Sequence, residues 1–210
     1  MELDRIFLTR DQNRVFNGLS LRLTEHRIGL IGANGSGKSS LLRLIKGLLV
    51  PDSGSVSISG SVGFVFQNPE HQLLFPTAME ELCFGLIEQG VLPEQAQQRA
   101  HDLLATHGYA HIADCATHEL SDGQKQLLCI FSVILDGAST LLLDEPFASL
   151  DLKTTRNVMR FIATLPQQLV LATHDLELVN DFDRVIWLDE GVVRSDGPPS
   201  QVILAYRESV

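Results

Sequence analysis

A glycine-rich segment near the start of the chain has the residue types and the spacing of a phosphate-binding loop. It fits the pattern G-x-x-x-x-G-K-[ST]. Its residues are Gly32, Ala33, Asn34, Gly35, Ser36, Gly37, Lys38 and Ser39, and we include Ser40, which follows them. Backbone N–H groups and the positive end of the next helix would offset phosphate charge. Lys38 would reach the β and γ phosphates and the Ser39 hydroxyl would ligate Mg²⁺, so we predict that the segment binds Mg-ATP.

Two acidic residues could supply the chemistry that such a site needs. An apolar stretch at 140–143 leads directly into Asp144 and Glu145. Ligands of α/β sheets bind at the carboxyl ends of the strands, so both carboxylates are expected beside the phosphate loop. Asp144 would hold Mg²⁺, directly or through water, while Glu145 would orient and deprotonate the water that attacks the γ phosphate. The pair predicts an ATPase, whereas a small-molecule kinase would also need an acceptor pocket.

The elements that must position these residues can be read from the apolar pattern. Residues 28–31 are typical of a buried strand, and apolar positions over 41–48 recur at helical spacing. Further along, short apolar strands alternate with helices, in the order 127–135 (helix), 141–143 (strand), 154–164 (helix) and 169–172 (strand). This alternation predicts an α/β fold with a mainly parallel central sheet.

Two regions depart from the alternation. Extended stretches at 55–58 and 62–66, separated by Gly60, predict an antiparallel β lobe. From 69 to 117 the β-branched residues thin out, and a helical pattern over 93–107 predicts an inserted helical subdomain. We expect a single domain over 1–210. Its nucleotide-binding core would consist of 1–67 and 123–210, and its helical subdomain of 68–122.

Composition narrows the class of protein. With 44% hydrophobic and 20% charged residues, the 210-residue chain is typical of a folded globular protein. A formal charge of −10 opposes sequence-independent binding to nucleic acid, and we expect no nucleic-acid partner. The apolar runs are shorter than the roughly 20 residues of a membrane span, and no signal peptide is evident. We therefore expect a cytoplasmic chain whose membrane association is peripheral.

One group of side chains suggests a metal site of a different kind. His107, His111, Cys115 and His118 recur at helix-like spacing and could place soft ligands together. Zinc signatures have tighter pairs than these, so a helix followed by a loop is the favoured interpretation.

Between the two nucleotide motifs, Leu120-Ser121-Asp122-Gly123-Gln124 resembles the signature segment of the ATP-binding-cassette (ABC) ATPases. Further matches to the family follow in the expected order, namely Gln67 (the Q-loop glutamine), Ser149-Leu150-Asp151 (the D-loop) and Thr173-His174-Asp175 (the switch histidine). The resemblance covers 32–175. It implies the P-loop NTPase core of an ABC ATPase, with an antiparallel β lobe and an inserted helical subdomain.

The resemblance also implies roles for particular residues. ABC ATPases form head-to-tail dimers in which each ATP lies between one phosphate loop and the partner's signature segment, here Ser121, Gly123 and Gln124. We expect the dimer to consist of two identical chains. His174 would contact the γ phosphate as a catalytic residue beside Glu145. The Q-loop residue, Gln67, would contact the nucleotide and join Ser39 and Asp144 at Mg²⁺.

This sequence departs from the family pattern in two places. Asp122 stands where the signature usually has glycine, which would set a carboxylate close to a polyphosphate. The aromatic residue that stacks on adenine is also hard to place, because Phe7 and Phe16 fall at strand-like positions. Base stacking would then be weak or supplied by an arginine.

A narrower resemblance concerns the segment from Val65 to Leu73, continued from Glu80 to Gly85, which is similar to the ATPases of energy-coupling-factor (ECF) importers. It implies a peripheral subunit at the cytoplasmic face of the cell membrane. Its partners would be a transmembrane coupling protein and a membrane substrate-binding subunit. The substrate would be a vitamin such as biotin or a transition-metal ion. The alternative is a soluble ABC ATPase of iron–sulfur cluster assembly.

A helix is expected to begin near Thr77, because Thr77-Ala78-Met79-Glu80 fits a capping box. Thr77 and Glu80 would then bind the free N–H groups of the helix itself. Helical spacing turns Glu81 away from the apolar face. A solvated charge is one interpretation of Glu81, but the ECF resemblance implies a docking charge for the membrane partner, and this is our prediction.

Overall fold

The computed structural model describes residues 1–209. Its strands are β1 (Glu2–Arg10), β2 (Asn13–Arg22), β3 (Arg27–Ile31), β4 (Ser53–Ser57), β5 (Val62–Val65), β6 (Thr140–Asp144), β7 (Gln168–Ala172), β8 (Arg184–Asp189) and β9 (Val192–Gly197). Its helices are α1 (Lys38–Lys46), α2 (Ala78–Glu88), α3 (Pro93–Thr106), α4 (Asp122–Leu135), α5 (Leu152–Ala163) and α6 (Pro199–Arg207). Short 3₁₀ turns connect several of them.

The chain forms two compact units. The first consists of Met1–Phe64, Ser139–Glu145 and the chain from Gln167 onward, and the second of Val65–Ala138 and Pro146–Pro166. The division expected from the sequence, with 68–122 as the inserted subdomain, stays a prediction about domain organisation.

A six-stranded sheet, ordered β5-β6-β7-β3-β8-β9, contains the strands that position the site. β3 pairs in parallel with both β7 and β8, β6 pairs in parallel with β7, and β9 is antiparallel to β8. β6 is buried along its whole length and β3 over its last four residues, as expected of strands covered on both faces. The predicted α/β fold with a mainly parallel central sheet is therefore confirmed.

The antiparallel lobe is a separate three-stranded sheet, ordered β2-β1-β4. The prediction that β4 and β5 both belong to such a lobe is wrong for β5, which lies beside β6 in the larger sheet. The reason is visible in burial, because β4 is serine-rich and mostly exposed while β5 is apolar and buried over its last three residues. A local pattern distinguishes strands from helices but does not say which sheet a strand joins.

In the second unit, aromatic side chains of three helical segments form a cluster. The ring centroid of His107 lies 5.8 Å from that of Phe131 and 4.7 Å from that of Phe161. His107 is thus a packing residue, with its ring edge-on to Phe161. Among residues 1–209 no group of three or more His, Cys, Asp or Glu side chains could hold a metal ion.

The first turn of α2 corrects one prediction. Thr77 caps the helix as expected, accepting a hydrogen bond from the Glu80 N–H at 3.3 Å. Glu81, however, is only 8% exposed, and its Oε2 accepts hydrogen bonds from the N–H groups of Leu74 (2.8 Å) and Phe75 (3.0 Å). The chain before the helix folds back over its first turn, and Glu81 supplies the acceptor for the partly buried N–H groups there. Glu81 is therefore a structural carboxylate, and its prediction as an outward docking charge is wrong.

Across the described part of the chain, no helix is both long and apolar enough to cross a membrane.

Candidate functional site

The phosphate loop lies in the first unit, between the end of β3 at Ile31 and the start of α1 at Lys38. This is the strand–loop–helix arrangement that the motif requires. Gly37, the residue before the helix, has no side-chain oxygen to cap the first turn, so the N–H groups there suit an anion. The Ser36 hydroxyl is buried and has no hydrogen-bond partner among residues 1–209. A buried polar group of this kind is expected where a ligand supplies the partner, and the loop therefore fits a nucleotide phosphate.

The Lys38 ammonium lies within the loop. It is 4% exposed and donates to the carbonyl oxygens of Gly32 at 2.8 Å and Ala33 at 3.1 Å. Its Nζ is also 3.6 Å from Glu145 Oε1. The two carbonyls and the carboxylate compensate the buried positive charge of Lys38. The ammonium also lies where a phosphate would bind.

Ser39 and Asp144 meet at the first turn of α1 and the carboxyl end of β6. The Ser39 hydroxyl donates to Asp144 Oδ1 at 2.7 Å. Burial raises the pKa of the Asp144 carboxyl, against the opposing effects of the Ser39 hydrogen bond and the charge of Arg43. A hydroxyl and a carboxylate are hard oxygen ligands of the type that Mg²⁺ prefers, so the pair fits that ion.

Arg43 was not expected from the sequence. It follows Ser39 by one helical turn, and its Nη2 lies 3.9 Å from Asp144 Oδ2. The available signal was this spacing along α1, which places two residues on the same helix face. The guanidinium partly compensates the negative charge of the Asp144 carboxylate at Oδ2, whereas Ser39 binds Oδ1.

Glu145 and His174 form the third part of the site. His174 Nδ1 lies 3.0 Å from Glu145 Oε2, and the Glu145 backbone N–H donates to Ala172 O at 3.0 Å. Glu145 has φ of 47°, in the left-handed region that glutamate seldom occupies. The structure thus brings together Lys38, Ser39, Asp144, Glu145 and His174, and the roles expected of them toward a nucleotide stay a prediction. A carboxylate between an ammonium and an imidazole can accept a proton from water.

The remaining predicted site residues lie in the second unit. Ser121 caps α4, accepting from the Gln124 N–H at 3.4 Å, while Gln124 Oε1 accepts from the Ser121 N–H at 2.9 Å. The signature segment is therefore also a capping box, a pattern that the sequence already contained. Gly123 is buried in the first turn of the helix. Contacts of these residues with a nucleotide stay a prediction.

Gln67 lines a cavity of about 380 Å³ within the second unit, together with Asp122 and Ser149. The cavity thus joins parts of the Q-loop, signature and D-loop segments. Two glutamines that sequence reasoning missed hold the backbone beside Gln67. Gln72 Oε1 accepts from the Phe66 N–H at 3.3 Å, and Gln126 Nε2 donates to Phe66 O at 3.3 Å. The signal for Gln126 was a polar residue within the apolar run of α4.

The two candidate aromatic residues for base stacking differ in exposure. Phe16 is 1% exposed, so neither face of its ring is open to a base. Phe7 is 37% exposed and lies against Gly18 in the antiparallel lobe. Burial of Phe16 therefore excludes it as the residue that stacks on adenine.

If Asp122 faces the phosphates bound by a partner chain, replacing it by glycine should lower the KM for ATP about twofold to fivefold at low salt, because an exposed carboxylate near a polyphosphate would be removed. The gain should shrink at high salt as screening grows. Steady-state ATPase assays at two salt concentrations measure it. Asp114→Gly, at an exposed turn of the same unit, is the control. An unchanged KM for Asp122→Gly at both salt concentrations would show that Asp122 faces away from the nucleotide.

Comparison with known proteins agrees with this geometry. The family model described as ABC transporter matches residues 16–148. The biotin transport ATP-binding protein BioM of Rhodobacter capsulatus is 43% identical, over 98% of this chain and 93% of its own.

Two solved structures are also similar. One is cbiO1 from Clostridium perfringens, part of the ABC transporter complex cbiONQ, with a TM-score of 0.86 and 26% identity over 99% of this chain and 91% of that one. The other is the dimeric bacterial ABC transporter cassette MJ0796, with a TM-score of 0.83 and 25% identity over 94% of this chain and 98% of that one. The phosphate loop, the carboxylates beside it and these likenesses lead to one conclusion: the chain belongs to the ABC transporter family, as an ATP-hydrolysing subunit.

Proposed function

We propose that the chain is the ATPase of an ECF-type importer for a biotin-like vitamin. The observation that carries the catalytic part is the convergence of Lys38, Glu145 and His174 beside the phosphate loop, together with the hydrogen bond between Ser39 and Asp144. The likeness to a biotin transport ATPase over nearly the whole chain supports the substrate class.

In this proposal each residue has a defined task. The loop amides and Lys38 bind the β and γ phosphates, and Ser39 and Asp144 would hold Mg²⁺, which offsets phosphate charge when bound. Glu145 accepts a proton from the water whose oxygen bonds to the γ phosphorus, while the bond from that phosphorus to the bridging oxygen breaks. His174 orients the Glu145 carboxylate and contacts the γ phosphate.

We further propose that two copies of the chain complete each site. Ser121, Gly123 and Gln124 would contact the ATP of the partner chain through the first turn of α4. A helix N-terminus suits this task because its N–H groups favour anions. The likeness to a dimeric ABC cassette supports the arrangement.

One groove in the second unit supports a proposal about the membrane partner. A groove of about 220 Å³ is lined mainly by apolar side chains, among them Phe75, Met79, Phe84 and Ile87, and also by Glu80 and Gln97. Phe84 and Ile87 are each 42% exposed, and the Phe75 and Phe84 ring centroids lie 4.9 Å apart. Because Glu81 is buried, we propose that the transmembrane coupling protein docks here by apolar contact. That would hold the chain at the cytoplasmic face of the membrane.

Replacing Phe84 by glutamate should abolish co-purification with the coupling protein, because a charge would be buried in an apolar interface. The ATP affinity of the isolated subunit should not change. Leu204→Glu, on the exposed face of α6, is the matched control and should still co-purify. Pull-down from membranes of cells co-expressing the partners measures both. Normal assembly of Phe84→Glu would place the docking surface elsewhere.

Uptake of labelled biotin by cells expressing the whole assembly tests the substrate class. If the cells take up Ni²⁺ or Co²⁺ but not biotin, the substrate class is a transition-metal ion.

A further inference from the structure

The turn between β8 and β9 lies directly against the phosphate loop. The Gly191 N–H of this turn donates to the Ser36 carbonyl at 3.1 Å. At the other end of the loop, a Cβ on Gly32 would lie 2.1 Å from the carbonyl oxygen of Leu188, the second-to-last residue of β8. The β8–β9 hairpin therefore contacts the loop near both of its ends.

The turn itself is shaped for this contact. Its two residues, Glu190 and Gly191, have φ of 47° and 75°, the positive values typical of a type I′ hairpin. A Cβ on Gly191 would lie 1.7 Å from the carbonyl oxygen of Val15 in β2. Backbone atoms of a paired strand cannot move aside as a flexible side chain can. Only glycine therefore lets the turn fit between β2 and the phosphate loop.

The hydrogen bond at Ser36 has a consequence for the next peptide group. The peptide unit between Ser36 and Gly37 is planar and trans, so its C=O and N–H point in opposite directions. Fixing the Ser36 carbonyl on the hairpin aims the Gly37 N–H away from the hairpin. If this peptide rotated, it would present a carbonyl oxygen to the phosphates in place of a donor.

We propose that the β8–β9 turn presets the phosphate loop for ATP, with Gly191 as the positioning residue. This rests on the proposed assignment of the loop as the phosphate site. Gly191 itself does not touch the nucleotide; it acts through the orientation of the Ser36–Gly37 peptide. Ordering the loop before ATP arrives removes part of the entropy cost of binding.

Gly191→Ala should weaken ATP binding about tenfold, because the turn must withdraw from Val15 and release the Ser36 carbonyl. Calorimetric titration of the purified full chain measures the Kd. Gly90→Ala is the matched control, since Gly90 also has positive φ, at 87°, but a Cβ there meets nothing within 4 Å. It introduces comparable backbone strain without touching the loop and should leave the Kd unchanged.

A second variant isolates the hydrogen bond and does not depend on steric fit. Gly191→glycolic acid, placed by ligating a synthetic C-terminal segment, replaces the N–H by an ester oxygen at unchanged size. It should raise the Kd for ATP about fivefold while the thermal unfolding midpoint stays near that of the wild type. A Kd within twofold of wild type for the folded ester protein would overturn the proposal.

Lys38→Ala separates this inference from the loop assignment. If the wild type binds ATP and Lys38→Ala does not, the loop is the phosphate site, and the position-191 variants alone decide the role of the turn. If Lys38→Ala binds ATP as the wild type does, the loop assignment fails and the inference fails with it.

Discussion

Replacing Glu145 by glutamine should leave ATP binding intact and slow hydrolysis by about 10²- to 10⁴-fold, the usual contribution of a general base. The amide preserves the shape of the side chain and can still hydrogen-bond to His174. It lacks the basic oxygen that accepts a proton from water. Phosphate release in single-turnover assays measures the chemistry, and calorimetric titration measures the ATP affinity. Light scattering should show dimers accumulating with ATP.

A glutamate outside the site provides the control for this substitution. Glu94, exposed in the first turn of α3, should tolerate the change to glutamine with no effect on hydrolysis. Near wild-type phosphate release by Glu145→Gln would remove Glu145 from the role of base. His174, which contacts the same carboxylate, would then be the next residue to test.

Asp144→Asn should weaken the binding of Mg²⁺ in the presence of ATP by about 10- to 100-fold, because one negative ligand is lost at a cation of charge +2. Titration with Mn²⁺ as a paramagnetic substitute measures the affinity directly. Ser39→Ala should weaken it less, since a neutral ligand is removed. Wild-type Mn²⁺ affinity in Asp144→Asn would show that the ion is held by other residues.

Asp144→Asn should weaken metal binding without lowering the stability of the fold. Because the pKa of Asp144 is raised by burial, the folded state binds its proton more tightly than the unfolded chain does. The free energy of unfolding therefore falls as the pH rises through the range between the two pKa values. Asparagine removes that unfavourable charge, so the metal-free variant should unfold no earlier than the wild type. Loss of metal binding without loss of stability would distinguish a ligand from a packing residue.

The parts of the molecule that could be predicted are those whose cause is local. The strand–loop–helix around Lys38 follows from glycines, apolar spacing and one lysine, all within a short stretch of chain. Asp144 and Glu145 follow from the end of a buried strand, and the capping by Thr77 from four consecutive residues. In each case the residues that make the structure are neighbours in sequence.

The parts that could not be predicted depend on residues far apart in the chain. The residues of β5 indicate only an extended apolar segment, and its partner in the sheet is β6, which lies beyond α4 in the chain. Glu81 is buried because the N–H groups of Leu74 and Phe75 return to it, which no helical spacing indicates. The hydrogen bond between Gly191 and Ser36 likewise joins residues that are far apart in the sequence, and no sequence motif indicates it.

The backbone of Glu145 has a further consequence, for engineering. A side chain other than glycine in the left-handed region costs roughly 1 kcal/mol of folding free energy, and here it coincides with the proposed base. Redesign guided by stability alone would favour glycine or asparagine at this position, and the resulting protein would be both more resistant to heat and unable to activate water. Thermostable variants of this chain should therefore be sought with residue 145 excluded from the search.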